Sequence, residues 1–275
     1  MISENGFYAL KIGYFGEGFF GSQVQPNFPT VASVMREALF RAGTISPGTL
    51  EKIAFASRTD RGVSAIGNVC KYYGKRPILG RINKFLPETV CAWGYSPVPE
   101  DFSERRDASL KKYSYFLPDT GENLSIMRQV CRMYSSKSAS SFRAFSKRDK
   151  VDRGPGAPLA FAKVSKEGSF FVFRFAGKAF LWNQVRKMVG AASGAAKGKI
   201  GLSLIEECLS GSFAGRDAGI PTSPPEGLLL ESIEYPKISF IEEPKKIQER
   251  FSKTAFSALQ KSRVLLGLAS EGFGH

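Results

Sequence analysis

The chain of 275 residues contains a single histidine, and it is the last residue, His275. A terminal histidine cannot anchor a Ser-His-Asp or Cys-His nucleophile, nor a histidine-based metal centre. The four cysteines, Cys70, Cys91, Cys131 and Cys208, are far apart, with no C-x-x-C among them. Such spacing argues against a zinc site and against a disulfide framework, and buried free thiols are expected. No apolar run approaches the roughly 20 residues that a membrane helix needs. Residues 1–5, Met1-Ile2-Ser3-Glu4-Asn5, show no basic stretch leading into an apolar one, so no secretory signal is expected and the cytoplasm is the expected compartment. Any chemistry must therefore rest on Asp, Glu, Lys, Arg, Tyr, Ser or Cys.

What the chain has in excess is positive charge. Lys and Arg number 39 against 25 Asp and Glu, a net charge of +14. An imbalance of this size fits an anionic partner, and nucleic acid is the commonest. Residues 137–153 are the densest stretch, with Lys137, Arg143, Lys147, Arg148, Lys150 and Arg153 against Asp149 and Asp152. Phe142, Phe145, Phe102, Tyr113 and Tyr115 stand among or near such charges. Cations for phosphates and rings for bases together make an RNA-binding surface, although rings are also what a core is built from. Hydrophobic residues make up 43%, enough for a substantial core.

The periodicity yields two similar halves. Strands are expected at 7–15, 52–56, 68–73 and 90–96, with helices at 31–41, capped by Thr30, and at 81–86. A second round follows: a strand at 110–117, a helix at 123–133 and a hairpin of 159–165 with 169–176. Helix 183–196 and strand 228–235 complete it. Ser203 and Glu206 have the spacing of a capping box for a further helix. Along 110–117, Tyr113, Tyr115 and Leu117 share one face and Lys112, Ser114 and Phe116 the other. Each half has the order of a split βαβ, ferredoxin-like unit. The expected fold is α/β (α+β): two ferredoxin-like halves, 1–105 and 106–275, sharing a mixed, mostly antiparallel sheet with helices on one side and a central basic cleft. Residues 243–267 read as one amphipathic helix with Ile247, Phe251, Ala255, Leu259, Leu265 and Leu266 as its apolar side.

Gly16-x-Gly18-x-x-Gly21 has the text of a dinucleotide fingerprint, but that fingerprint needs a helix to start at once, and Pro26 and Pro29 interrupt. These glycines are expected to form a flexible loop at the cleft. No phosphate-binding GxxxxGK[ST] loop is present.

The most informative stretch is Ser57-Arg58-Thr59-Asp60-Arg61-Gly62-Val63-Ser64-Ala65, where a carboxylate sits between two arginines at a strand end. A nearby arginine favours the charged form of a carboxylate, as a nucleophile or general base requires. An ion pair in a structural turn has the same local sequence.

This stretch resembles the catalytic loop of tRNA pseudouridine synthases of the TruA family, in an archaeal-like form. Lys112-Tyr113-Ser114-Tyr115 is similar to that family's second motif, Phe180-Leu181-Trp182-Asn183-Gln184-Val185-Arg186 to its third, and Pro225-Glu226-Gly227-Leu228 to its fourth. Tyr14-x-Gly16 through Gly21-x-Gln23 is similar to the family's N-terminal loop. The ordered set spans residues 7–236. It departs from the family where Ser64 replaces a frequent His, where Ser22 replaces a frequent Trp, and near Trp182 and Asn183, where His is frequent.

The resemblance implies isomerisation of uridine to pseudouridine in the anticodon stem-loop of tRNA by a homodimer, with no cofactor and no metal. It implies Asp60 as the catalytic carboxylate and Tyr113 as the ring that stacks on uracil. Arg186 would partner Asp60, Arg58 would hold the loop or a phosphate, and Leu228 would line the uracil pocket. Arg105, in Phe102-Ser103-Glu104-Arg105, would contact the flipped nucleotide. A catalytically silent RNA-binding protein on the same scaffold would show the same charge, and an enzyme for a small phosphorylated ligand is a third reading.

Overall fold

A computed structural model describes residues 5–136, 141–147, 156–213 and 218–271. Lys137, Arg148, Asp149, Lys150, Asp152 and Arg153 of the basic stretch lie outside these residues, as does His275.

The first half contains β1 (Gly6–Tyr14), α1 (Val31–Arg41), β2 (Ala54–Phe55), β3 (Ser64–Gly74), α2 (Leu79–Asn83) and β4 (Val90–Val98). The second contains β5 (Leu110–Pro118), α3 (Leu124–Tyr134), β6 (Leu159–Glu167), β7 (Phe170–Gly177), α4 (Gln184–Ala196), α5 (Leu202–Ser210) and β8 (Leu228–Glu234). A two-residue strand β9 (Ile241–Glu242) and the long helix α6 (Pro244–Glu271) follow. All nine strands form one sheet, ordered β6-β7-β5-β8-β3-β1-β4-β9, with β2 on β3.

The order explains the internal repeat. In the first half β1 lies between β3 and β4, antiparallel to both, and β2 pairs antiparallel with β3. In the second, β5 takes the place of β1 between β7 and β8, and β6 pairs with β7. Both are ferredoxin-like arrangements. They meet where β3 and β8 run parallel, Ser64 opposite Leu229 and Ala65 opposite Leu230. The start of β3 and the start of β8 therefore sit side by side at the seam, which fixes where the loop before β3 must lie.

Local signals account for most elements. Thr30 Oγ1 accepts the Ser33 amide and Ser33 Oγ accepts the Thr30 amide, a reciprocal cap that starts α1. The strand expected at 52–56 shrinks to two residues, because Pro47 opens a 3-10 helix that runs to Lys52. The capping box expected at Ser203 is not one: Gly201 is the N-cap of α5 and Ser203 already lies within the helix. Phe142, Phe145, Phe102 and Tyr115 are buried in the main core, so they are packing residues and not a surface for bases.

The tail helix is placed by a separate small cluster. Along β4, Val90 and Ala92 join the main core, while the intervening Cys91 and Trp93 pack with Ile247 and Phe251 of α6. Alternate residues of a strand face opposite sides, so α6 covers the face away from α1 and α2. Gly13 permits the contact, since a Cβ there would lie 2.3 Å from Ile247 Cδ1. The apolar side foreseen for this helix is only partly covered: Ala255 and Leu259 are exposed, as is Phe256 beside them, and the side chains of Leu265 and Leu266 are outside the described set. All four cysteines are free and buried, as expected. No helix among the described residues is long and apolar enough to cross a membrane.

Candidate active site

The loop between β2 and β3, residues 56–63, is held from below by buried polar side chains. Asn68, on β3 and fully buried, uses its side-chain oxygen to accept the Ser57 amide (3.2 Å) and its side-chain NH2 to reach the Ser57 carbonyl (2.9 Å) and the Tyr14 hydroxyl (3.0 Å). Tyr14 in turn bonds Thr59 Oγ1 at 2.8 Å. Ser22 Oγ accepts the Thr59 amide at 2.8 Å, and the Ser22 amide donates to the Thr59 carbonyl at 3.1 Å. Ser64 Oγ accepts the Gly16 amide at 3.0 Å. Two positions that depart from the family pattern, Ser22 and Ser64, thus serve as backbone anchors.

Gly16 and Gly21 allow close contact. A Cβ on Gly16 would lie 2.5 Å from the Gly62 carbonyl carbon and oxygen, and one on Gly21 would lie 2.9 Å from the Thr59 carbonyl oxygen. Gly21 also has φ +95° and Gly62 φ +81°, conformations that side chains disfavour. The N-terminal loop is laid directly on the Asp60 loop.

Asp60 points out of this frame into a cleft of about 560 Å³. Its Oδ2 accepts from Arg186 at 3.1 Å and its Oδ1 accepts from the Trp182 indole N–H at 3.0 Å. Arg186, on α4, is itself held by donating to the Ser223 carbonyl at 2.8 Å and to Asn183 Oδ1 at 3.3 Å. Trp182 precedes Asn183, the residue before α4, whose φ of +61° makes it one of two described non-glycine residues in the left-handed region. Backbone strain of this kind costs about 1–3 kcal/mol and concentrates at functional sites. The Asp60 carboxylate thus meets one guanidinium and one indole N–H, both brought from the other half of the sheet.

The sequence neighbours of Asp60 behave otherwise. Arg61 stacks on Phe20, 4.2 Å from the ring centre, and Arg58 is exposed at the cleft wall. The cation expected from the adjacent arginines is supplied by Arg186. Tyr113 lines the cleft, bonded through its hydroxyl to Ser57 Oγ at 2.8 Å and packed edge-on against Phe180. Burial pushes the Tyr113 phenol up to about 12; the Ser57 hydrogen bond opposes this and the charge of Asp60 adds to it. Leu228, at the start of β8, is buried at the cleft wall, and Arg105 is exposed there. All six residues singled out from the sequence therefore line one cavity.

Sequence reading passed over Trp182, Asn68 and Lys111 as site residues. Lys111 also lines the cleft, whereas its neighbour Lys112, which the motif had brought forward, faces the other side and pairs with Glu234 at 2.7 Å. Strand alternation was the available signal, because Lys111 and Tyr113 are two apart.

Residues 139–236 match the family profile described as tRNA pseudouridine synthase. A tRNA pseudouridine synthase A of Thermococcus kodakarensis is 36% identical over 245 residues, covering 88% of this chain and 89% of that protein. One from Methanocella arvoryzae is 36% identical, covering 86% of each, and one from Pyrococcus furiosus is 36% identical, covering 84% and 85%. Among solved structures, a Cbf5-Nop10-Gar1 complex is similar at a TM-score of 0.33 and 10% identity over 68% of this chain and 44% of that one, a likeness too slight to carry weight. The fold and the cleft define an α/β protein with a buttressed carboxylate in a basic cavity. By its relatives, the chain belongs to the tRNA pseudouridine synthase family.

Proposed function

We propose that this protein converts uridine to pseudouridine in the anticodon stem-loop of tRNA, with Asp60 as the catalytic carboxylate. The observation that carries the proposal is the position of Asp60 in the cleft, held by Arg186 and Trp182, beside Tyr113 and Leu228. The C1′–N1 bond breaks, the uracil turns, C5 bonds to C1′, and the proton lost from C5 is balanced by one gained at N1. No electron donor or acceptor enters. Asp60 serves by attack at C1′, by attack at uracil C6, or by proton abstraction; each oxygen accepts one hydrogen bond and keeps a lone pair for any of these routes.

The target base must leave its stack, at a cost of a few kcal/mol. Stacking on an aromatic ring returns about 1–3 kcal/mol per base, and Tyr113 is the ring at the cleft floor. Leu228 supplies an apolar wall. Arg58 and Arg105, both exposed on the cleft wall, contact the RNA backbone. We assign the halves as 1–105, carrying the Asp60 loop, and 106–275, carrying Arg186, in a cytoplasmic homodimer that lets one tRNA touch both subunits. A monomeric mass in solution would remove the dimer.

The test is tritium release from 5-tritiated uridine in tRNA. Wild-type protein releases tritium, and Asp60→Asn and Asp60→Ala release none while still binding tRNA. Equal release by the Asn variant sinks the role of Asp60. No release by wild type on any tRNA it binds leaves a catalytically silent RNA-binding protein.

A further inference from the structure

Lys111 is buried to about nine-tenths, at 9% exposure, yet its ammonium forms no ion pair with a carboxylate among the described residues. Its hydrogen bond there is to the Ala56 carbonyl, at 2.6 Å. An ammonium has three N–H donors, so two remain for whatever occupies the cleft. One carbonyl does not offset the cost of taking a full charge out of water; a buried cation is normally matched by an anion.

The surroundings increase that cost. Among the described residues the cleft is lined by Arg58, Arg61, Arg105, Lys111 and Arg186, with Asp60 as the single carboxylate. Asp60 is engaged by Arg186, and Arg61 lies on Phe20. The charge of Arg105 adds to burial in lowering the Lys111 ammonium to about 8, with Glu104 opposing more weakly. Two like charges converge on one cavity, and the nearby Glu104 carboxylate, which is not among the described residues of its lining, makes no ion pair with Lys111. A cavity built this way is completed by an anionic ligand.

We propose that Lys111, together with Arg105, forms the subsite for a backbone phosphodiester of the RNA next to the target nucleotide. The proposal rests on the RNA-modifying reading above. Lys111 stands two residues before Tyr113 on β5, on the same face, and holds the carbonyl that precedes Ser57, which in turn holds Tyr113. A phosphate oxygen on the Lys111 ammonium thereby sits on the same frame as the ring that takes the base. The spacing of phosphate and base along the flipped nucleotide is set by one strand.

The test uses the full chain and anticodon stem-loop RNAs in which one phosphodiester, 5′ or 3′ of the target uridine, is a neutral methylphosphonate. Against unmodified RNA, Lys111→Met binds about tenfold more weakly than wild type at physiological salt, its log-affinity slope against log salt falls by about one, and Lys111→Arg restores both. One methylphosphonate position weakens wild type similarly and leaves Lys111→Met unchanged. Thermal melting verifies that the Met variant folds. If Lys111→Met keeps the wild-type slope, or if every methylphosphonate costs both proteins equally, Lys111 is only a clamp on Ala56 and the subsite is overturned. These are binding measurements, so they decide the subsite even where no tritium is released and the catalytic reading has failed.

Discussion

The indole N–H of Trp182 donates to Asp60 Oδ1 at 3.0 Å, across 122 residues of sequence. With Arg186 on Oδ2, it gives each carboxylate oxygen one donor and so orients the group. Trp182 is itself held from above, with Lys147 Nζ 4.4 Å from its ring centre and the Lys147 amide on its carbonyl at 2.8 Å. Trp182→Phe keeps the ring and removes the donor. A hydrogen bond to a charged group contributes about 1.5–3 kcal/mol, so the single-turnover rate should fall about 10- to 100-fold. Affinity for tRNA should hold. A rate equal to wild type would show that Arg186 alone orients Asp60.

Asn68 should matter for both stability and activity. Its side chain satisfies both backbone groups of Ser57 and the Tyr14 hydroxyl, all in the interior. Asn68→Ala leaves the Ser57 amide and carbonyl without the Asn68 partner and the Tyr14 hydroxyl with Thr59 alone, at about 1–3 kcal/mol for each group left unsatisfied that water cannot reach. Denaturant unfolding should show a loss of roughly 2–4 kcal/mol. The catalytic loop should loosen before the fold does, so activity should fall at temperatures where the variant is still folded. Asn68→Asp, which lacks the NH2 donor, should be worse than its size suggests.

How much of this was legible beforehand differs between the fold and the site. The ferredoxin-like order was readable because each half repeats the same alternation of period-2 and period-3.6 segments, and Thr30, expected as a cap, does start α1. The Asp60–Arg186 pair came from a resemblance, since nothing local connects two residues 126 apart. Trp182 was not readable because its role exists only after the two halves join, and Asn68 because its role exists only after the loop folds back onto β3. Asn68 looks like any polar residue on a strand until Ser57 is brought against it. The glycines of the N-terminal loop were legible only in part: glycine marks both mobility and close approach, and the close approach at Gly16 emerges only from its 2.5 Å clearance.

Gly16→Ala tests that close approach. The added methyl would meet the backbone of Gly62 and Val63 at 2.5 Å, and backbone cannot swing aside as a flexible side chain can. Relief requires the Asp60 loop to move. Misplacement of a reacting group by about 1 Å costs on the order of 100-fold in rate. Tritium release should drop by at least that factor, with a smaller loss of stability of about 1–3 kcal/mol. Gly18→Ala is the control, because a Cβ there meets nothing within 4 Å, although its φ of +83° adds some strain. If the two variants were equally active, the loop would be tolerant of displacement.

The buried Lys111 ammonium also predicts an unusual pH profile of stability. Its value falls from 10.5 to about 8, first because burial disfavours the charge and second because Arg105 is near. Between about 8 and 10.5 the unfolded chain binds more protons at this lysine than the folded protein does, so this residue makes stability rise with pH across that window. Below about 8 both states are protonated and the full cost remains, on the order of 3 kcal/mol for a shift of this size. Lys111→Met removes the charge and keeps most of the aliphatic stem. In the absence of RNA the Met variant should therefore be the more stable protein at pH 7, and its advantage should shrink as pH approaches 10. Other groups titrate in the same range, so the informative quantity is the difference between the two unfolding curves at each pH. A constant difference, or a wild type that is the more stable at neutral pH, would mean that the Ala56 hydrogen bond already compensates the buried charge, and an anion would no longer be needed to complete the cleft.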